Sequence, residues 1–303
     1  RKKQFRNDAM LVFEFLQLNP GVFLLFCTLL GLSLGSFLNV VAYRLPLMME
    51  QDWRQQCKEL LQPDTEGPTP PAVETFNLSR PRSRCPKCGH QITALENIPV
   101  LSYLLLRGRC SGCGEAISSR YPVVEMVTGL LSLIVAWRFG LSWQTAAALP
   151  LTWALVALSL IDFDHKLLPD SIVIPFIWLG LLLSLGGVFA SSDAAILGAA
   201  AGYLSLWGVF QLFKLITGKE GMGYGDFKLL ALFGAWLGWH YLFQIILLSS
   251  LVGALVGIGL ILLRGRDRNI PIPFGPYLAA AGWISLLWGE SINDFYVSWA
   301  GLA

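Results

Sequence analysis

Apolar residues run through this chain in long blocks, not in the alternating pattern of half-buried strands. A membrane-spanning helix needs about 20 consecutive mostly apolar residues, or roughly 17–25 with tilt. Eight windows meet or approach that length: 21–42, 122–139, 144–162, 171–190, 194–216, 227–239, 241–263 and 274–293. The sixth is short and rich in glycine, which predicts a tilted, half-inserted or neighbour-shielded helix, and its boundary with the seventh falls at Trp239-His240. The pattern predicts an all-α polytopic membrane protein with about eight transmembrane helices. One long polar segment, 43–121, interrupts it. The expected organisation is a lead-in over 1–20, a first span over 21–42, a loop domain over 43–121 and seven helices over 122–303. The first span is too long for a cleaved signal peptide and lacks a small-residue cleavage site.

Composition agrees: 54% of the 303 residues are hydrophobic and 14% charged, against about 25% charged in average soluble proteins. A net charge of +2 gives no reason to expect nucleic acid as a partner; the lipid bilayer is the expected one. The placement of charge is more informative. Segment 43–121 carries ten Lys/Arg, and Lys166, Lys219, Arg264, Arg266 and Arg268 lie in the turns that an eight-span arrangement puts on the same side. The opposite turns hold almost none, so this side is expected to face the cytoplasm. The basic run 1–6 disagrees with that rule. Residues 1–9 read as upstream sequence, with Met10 as the natural start; an N-terminal basic anchor is the alternative.

Four of the six cysteines form two C-x-x-C pairs, Cys85/Cys88 and Cys110/Cys113, each followed by glycine and separated by 21 residues. Two such turns supply four thiolates to a closed tetrahedral site, which predicts a structural Zn2+ and a reducing compartment. Iron, a redox dithiol pair or unrelated cysteines are the alternatives. Zinc would supply folding energy to a loop with little core of its own. The loop's upstream part, with Pro63, Pro68, Pro70 and Pro71, reads as irregular and exposed. The apolar stretch 97–104 reads as packing on the zinc module or dipping into the interface. His90 reads as a surface residue, and Cys27 and Cys57 as packing or surface thiols.

Two carboxylates stand out because an ionisable group at membrane depth costs about 2.5–3.5 kcal/mol on insertion scales. Asp162 ends the apolar run 144–161. Asp226 ends the glycine-rich run Gly221-Met222-Gly223-Tyr224-Gly225-Asp226, where Gly223 and Gly225 would permit positive φ or close backbone approach. The plainer reading makes Asp226 the N-cap of a helix-starting turn. If both lie at one depth they can share a proton, since like charges so close cannot both ionise. The ionised partner would activate a water while the protonated one polarises a scissile carbonyl. Asp170 or Ser171 reads as the N-cap of the next helix, and Asp164 as turned outward with His165 and Lys166.

These residues occur in an ordered set: Gly35-Ser36-Phe37-Leu38-Asn39-Val40-Val41 with Arg44-Leu45-Pro46, the two C-x-x-C pairs, Asp162 with Leu168-Pro169-Asp170, Gly223-Tyr224-Gly225-Asp226-Phe227-Lys228, and Pro273-Phe274-Gly275-Pro276. From about Met10 onward the chain resembles the bacterial type IV prepilin peptidases, leader peptidase/N-methyltransferases of the GxGD aspartyl protease group. The resemblance implies that Asp162 and Asp226 are the catalytic pair. It implies prepilin and pseudopilin substrates with a short basic leader, cleaved on the cytoplasmic side of the inner membrane between a glycine and a phenylalanine-led apolar helix. It implies methylation of the new amine from S-adenosylmethionine, with the zinc loop tied to methylation.

Gly223, Gly225, Lys228 and Glu125 are expected to support these activities. Lys228 reads as snorkelling to the interface, and Glu125 as facing the zinc module or the leader. Glu74, Glu96 and Glu115 read as a solvated face able to meet a basic leader. Arg44 and Arg120 read as ordinary membrane anchors, and Gly275 between two prolines as shaping a strand-like peptide groove. A transporter relaying protons through membrane carboxylates is the main alternative, but it favours paired repeats, which the chain lacks. A non-catalytic assembly protein is a further alternative, and it would tolerate Asp162→Asn and Asp226→Asn.

Overall fold

The computed structural model describes Leu11 and residues 14–61, 76–219, 221–264, 272–299 and 301. The four loop prolines, Glu74, Met10, Arg266 and Arg268 lie outside those residues. The chain divides into two compact units, with the boundary in the sequence between Leu141 and Ser142.

The first unit is built on two helices, α1 (Pro20–Leu61) and α3 (Arg120–Phe139), with a short helix α2 (Leu101–Leu105) in the loop between them. α1 is far longer than the apolar window 21–42. Past Pro46 its residues are mostly strong helix formers, and the Glu50–Arg54 pair one turn apart is closed at 2.6 Å, so the helix runs on as an exposed polar extension. The apolar half of α1 packs on α3 through small residues. A Cβ on Gly31 would sit 2.7 Å from Ser132 Cβ, and one on Gly35 would sit 2.8 Å from Glu125 Cα. Gly31 and Gly35 are four apart and so share one face, which lets the two backbones approach closely. This accounts for the glycine of the G-S-F-L-N run.

The second unit contains α4 (Trp143–His165), α5 (Asp170–Ser184), α6 (Ser192–Thr217), α7 (Tyr224–Leu237), α8 (Leu242–Arg264) and α9 (Gly275–Trp299). α7 is its core. Every residue from Asp226 to Leu237 except Lys228 is buried, by α5, α6, α8 and α9. At 14 residues and about 1.5 Å per residue, α7 is shorter than a bilayer core. Of the three expectations for this helix, shielding by neighbours is the one observed. A single turn, Trp239–Tyr241, separates it from α8, at the expected boundary. α5 stops at Ser184, short of the apolar window 171–190, because the chain turns through Gly186 and Gly187, the latter at φ 63°. Polar bonds lock α9 in place: Trp283 Nε1 donates to Thr152 Oγ1 of α4 at 3.0 Å, and Gln244 Nε2 of α8 donates to Ser285 Oγ at 2.8 Å.

Among the described residues, five helices are long and apolar enough to cross a membrane: Pro20–Leu61, Arg120–Phe139, Trp143–His165, Ser192–Thr217 and Trp239–Leu263. The last shows why water cannot be its solvent. Its mean hydropathy is 2.7, yet only 17% of its apolar window is buried within the protein, so lipid must cover the rest.

α6 meets α7 at backbone contact. A Cβ on Gly198 would collide with the Gly234 carbonyl oxygen and lie 2.8 Å from Trp239 N, whereas Gly208, on the same helix, has nothing within 4 Å. Gly198→Ala is therefore expected to destabilise the protein by about 1–3 kcal/mol through overpacking. Gly208→Ala should be neutral or stabilising by up to about 1 kcal/mol. Thermal unfolding of the two variants in detergent measures the contrast.

Candidate active site and metal centre

In the first unit, each C-x-x-C pair forms the same turn. Cys85 N–H donates to the His90 carbonyl at 2.9 Å and Gly89 N–H to the Cys85 carbonyl at 3.0 Å; Cys110 with Glu115, and Gly114 with Cys110, repeat this at 2.8 and 2.9 Å. Gly89 and Gly114 adopt φ 72° and 73°, the left-handed region that glycine enters without strain. The two turns bring all four sulfurs within 4.8 Å of one another, with Cys85–Cys113 at 3.9 Å and Cys88–Cys110 at 4.0 Å. A tetrahedral ion with thiolates at about 2.3 Å would hold its sulfurs about 3.8 Å apart, and a disulfide would need about 2 Å. The cluster thus has the dimensions of a four-thiolate metal site.

The amides of Cys88 and Lys87 lower the Cys85 pKa to about 6. The Glu115 amide favours the Cys113 thiolate as well, but neighbouring sulfurs and burial push that thiol up to about 12. A bound cation would relieve this crowding.

The turns are also braced by side chains. Lys87 Nζ meets Glu115 Oε2 at 2.6 Å, and the Ser111 hydroxyl reaches across to both Glu96 and His90. Glu96 further accepts from the Thr93 amide at 2.8 Å. Glu96 and Glu115 are thus bracing groups and not a free acidic face, and His90 is a half-buried member of the brace. Arg44 also departs from expectation. It is buried, donates to the carbonyls of Asn77 at 2.9 Å and Pro81 at 2.7 Å, and lies over the Phe76 ring. A membrane anchor would face headgroups; Arg44 grips the loop. Asn39, equally buried, ties α1 to the Tyr121 carbonyl at 3.3 Å. Glu125 faces the loop: its Oε2 accepts the Val100 N–H at 2.7 Å.

In the second unit, Asp162 lies in the last turn of α4 and Asp226 in the first turn of α7, with 6% and 8% of their surface exposed. α4 ends there because Lys166 takes a left-handed conformation, φ 55°, and returns its N–H to the Asp162 carbonyl. Asp162 Oδ2 accepts the N–H of Gly275, the first residue of α9, at 3.0 Å. A Cβ on Gly275 would fall 2.6 Å from that oxygen. Leu168, 8% exposed, wedges between the two glycines: Cβ positions on Gly225 and Gly275 would lie 2.8 and 3.2 Å from it. Asp162 and Asp226 are near enough for the charge of one to act on the other.

Four expectations change here. Gly223, and not Asp226, is the N-cap of α7; its φ is −82° and nothing lies near its Cβ position. Neither Gly223 nor Gly225 uses positive φ; Gly225 is needed for the approach of Leu168. Pro169 is the N-cap of α5 and Asp170 its first residue, and Lys228 does not snorkel but binds both oxygens of Asp170 at 2.7 and 2.8 Å. Asp164, His165 and Lys166 are exposed as expected.

Comparison with known proteins follows the same division. Residues 29–139 match the bacterial Peptidase A24 N-terminal domain, and residues 149–258 match the type IV leader peptidase family. A prepilin leader peptidase/N-methyltransferase of Stutzerimonas stutzeri is 57% identical over 289 residues, covering 95% of this chain and 99% of that protein. Proteins of the same name from Pseudomonas aeruginosa and Aeromonas hydrophila are 56% and 57% identical, over 96% and 92% of this chain and 99% and 95% of theirs. This chain belongs to the type IV leader peptidase family. No solved structure matches it.

The transporter alternative finds no support in these leader peptidase relatives. Both aspartates fall within the stretch matched to the leader peptidase family, and the four cysteines within the N-terminal one. Sequence reasoning did not place Gly275 on Asp162, Leu168 between the glycines, or Asp170 on Lys228. The one available signal was glycine between prolines at a helix start, which marks a backbone position with a special purpose.

Replacing Cys85 and Cys110 with serine, which leaves two thiolates, is expected to release the bound metal. Metal analysis of purified wild type and variant checks this, and equal metal content in both would sink the four-sulfur assignment.

Proposed function

We propose that this protein is a membrane aspartyl endopeptidase that removes the short basic leader of prepilins and pseudopilins and then N-methylates the new N-terminus. The observation that carries the peptidase reading is that two buried carboxylates stand at the ends of separate helices, and both ends close on Leu168. The names of its close relatives favour the pairing of cleavage with methyl transfer. Loop charge favours an inner-membrane orientation with 43–121 and 163–170 facing the cytoplasm.

Asp162 and Asp226 share one proton. The Gly275 amide occupies Oδ2 of Asp162, leaving its other oxygen for a water. The ionised carboxylate takes a proton from that water as it attacks the scissile carbonyl, and the protonated partner donates to the carbonyl oxygen. Collapse of the tetrahedral intermediate passes a proton to the departing amine. The open space beside Gly223 leaves room for an extended substrate backbone. Cys85, Cys88, Cys110 and Cys113 would hold Zn2+ as a structural ion with no open coordination position. S-adenosylmethionine, when bound, would supply the methyl group, its sulfonium C–S bond breaking as the amine nitrogen takes the methyl carbon and gives up a proton.

Cleavage of a prepilin-like peptide in detergent is expected to fall by about 10²–10⁴-fold in Asp162→Asn and in Asp226→Asn, with metal content and folding kept. Survival of full cleavage in either variant would remove that aspartate from the mechanism. The Cys85→Ser/Cys110→Ser variant should lose methylation of a pre-cleaved peptide before it loses cleavage; equal loss of both would give the metal loop a role in the peptidase fold.

The Lys228–Asp170 pair contributes little to stability, since both side chains are partly exposed. It does hold the start of α7, two residues from Asp226, onto α5. A misplacement of about 1 Å at a reacting group can cost 10²-fold. Lys228→Met and Asp170→Asn should each lower kcat with KM kept, and the double variant should be no worse than the poorer single one. Multiplying losses in steady-state assays would mean that the two residues act separately.

A further inference from the structure

The loop segment that separates the two metal-binding turns carries an apolar surface that the other described residues of its unit leave exposed. Leu101, Leu104 and Leu105 of α2 are 58%, 63% and 82% exposed, and Ile98 just before them is 39% exposed. The long exposed side chains beside the metal-binding turns are charged instead, among them Arg82, Arg84, Lys87 and Arg109. Three exposed leucines in a five-residue helix would be costly in water.

Two anchors set the depth of this segment. Val100 N–H is held by Glu125, five residues into α3 from Arg120. At about 1.5 Å per residue, that is roughly 7 Å along the axis from the arginine that caps the apolar run. A helical side chain leans back toward its N-terminus, which returns Val100 to about the level of the first turn of α3. Asn97 Oδ1 is bonded by the Ser36 hydroxyl at 3.4 Å, and Ser36 lies eight residues, or roughly 12 Å, before Arg44, the first charge after the apolar run of α1. Both anchors therefore hold residues 97–100 level with the loop-side ends of the apolar runs of α1 and α3, from the headgroup boundary into the acyl chains. α2 follows immediately, and Arg107 and Arg109, both exposed, come directly after it, where they can meet anionic headgroups.

We infer that residues 98–105 form a membrane-docking surface of the metal loop, with Leu101, Leu104 and Leu105 seated among the acyl chains of the leaflet on the loop's side. The occupant is lipid, because the two anchors put the patch at bilayer depth and the adjoining charges are basic. The loop is thereby held at three kinds of contact: the thiolate cluster, the Glu125 and Ser36 bonds, and the bilayer surface. This inference does not depend on the peptidase reading.

The test is photocrosslinking of the full-length protein in nanodiscs of phosphatidylethanolamine and phosphatidylglycerol. Benzoylphenylalanine replaces Leu104 or Leu105, with Leu255 of α8, 63% exposed, and Leu60 at the far end of α1, 81% exposed, as the references. Intact-mass analysis is expected to find phospholipid adducts at 104 and 105 as at 255, and none at 60. Positions 104 and 105 behaving like 60, or crosslinking to a second copy of the chain or another polypeptide, would overturn the inference. Retained metal reports that each variant is folded. If neither keeps its metal, an apolar diazirine dissolved in the bilayer is applied to the unsubstituted protein; labelling within 98–106 is expected, and its absence there alongside labelling of α8 would overturn the inference.

Discussion

The peptidase half of this protein depends on one hydrogen bond and the glycine that makes it possible. Asp162 sits at the end of α4, and the start of α9 comes to it through the Gly275 amide at 3.0 Å. With any side chain at Gly275 the Asp162 oxygen would be displaced. The same glycine borders Leu168, which in turn requires the absence of a side chain at Gly225, one residue from Asp226. Three helix ends therefore converge on one leucine, and the two that carry the carboxylates approach it because glycine stands at both places where the leucine must pass.

That convergence explains the unusual shape of the second unit. A helix as short as α7 cannot cross a bilayer alone, and its N-terminal turn carries a carboxylate that lipid would penalise. Burial by the surrounding helices solves both problems, since Asp226 faces protein on a helix whose other residues form the core. Backbone contact between Gly198 and Gly234 brings α6 close enough to do this. Neighbouring helices, not lipid, surround Asp226.

The first unit solves a different problem, the stability of a small loop with little apolar core. Its two turns repeat one backbone pattern, and their sulfurs approach to the spacing of a tetrahedral site. Around them, Arg44 and Glu125 spend buried charge on backbone groups of the loop. Such bonds are worthwhile because an unpaired charge at these positions would be expensive. The loop is thus joined to α1 and α3 by polar groups inside apolar helices.

Much of this was legible from the sequence alone. Long apolar blocks specify membrane helices because the bilayer demands a minimum length and internally satisfied backbone groups. The C-x-x-C-G repeats specify a metal site because the turn and its ligands are local. The motif order pointed to the family, and both aspartates stood out because charge is rare in such surroundings. What only the tertiary structure decided concerns partners distant in sequence. Lys228 could have reached headgroups, but Asp170, 58 positions away, binds it. Arg44 could have anchored the membrane, but it grips the loop at Asn77 and Pro81. Gly223 and Gly225 look alike in the sequence, yet only Gly225 has a neighbour that excludes a side chain. Periodicity and local chemistry determine which helices form and which residues are exceptional; the choice of partner rests on how helix ends pack, and no local pattern records that.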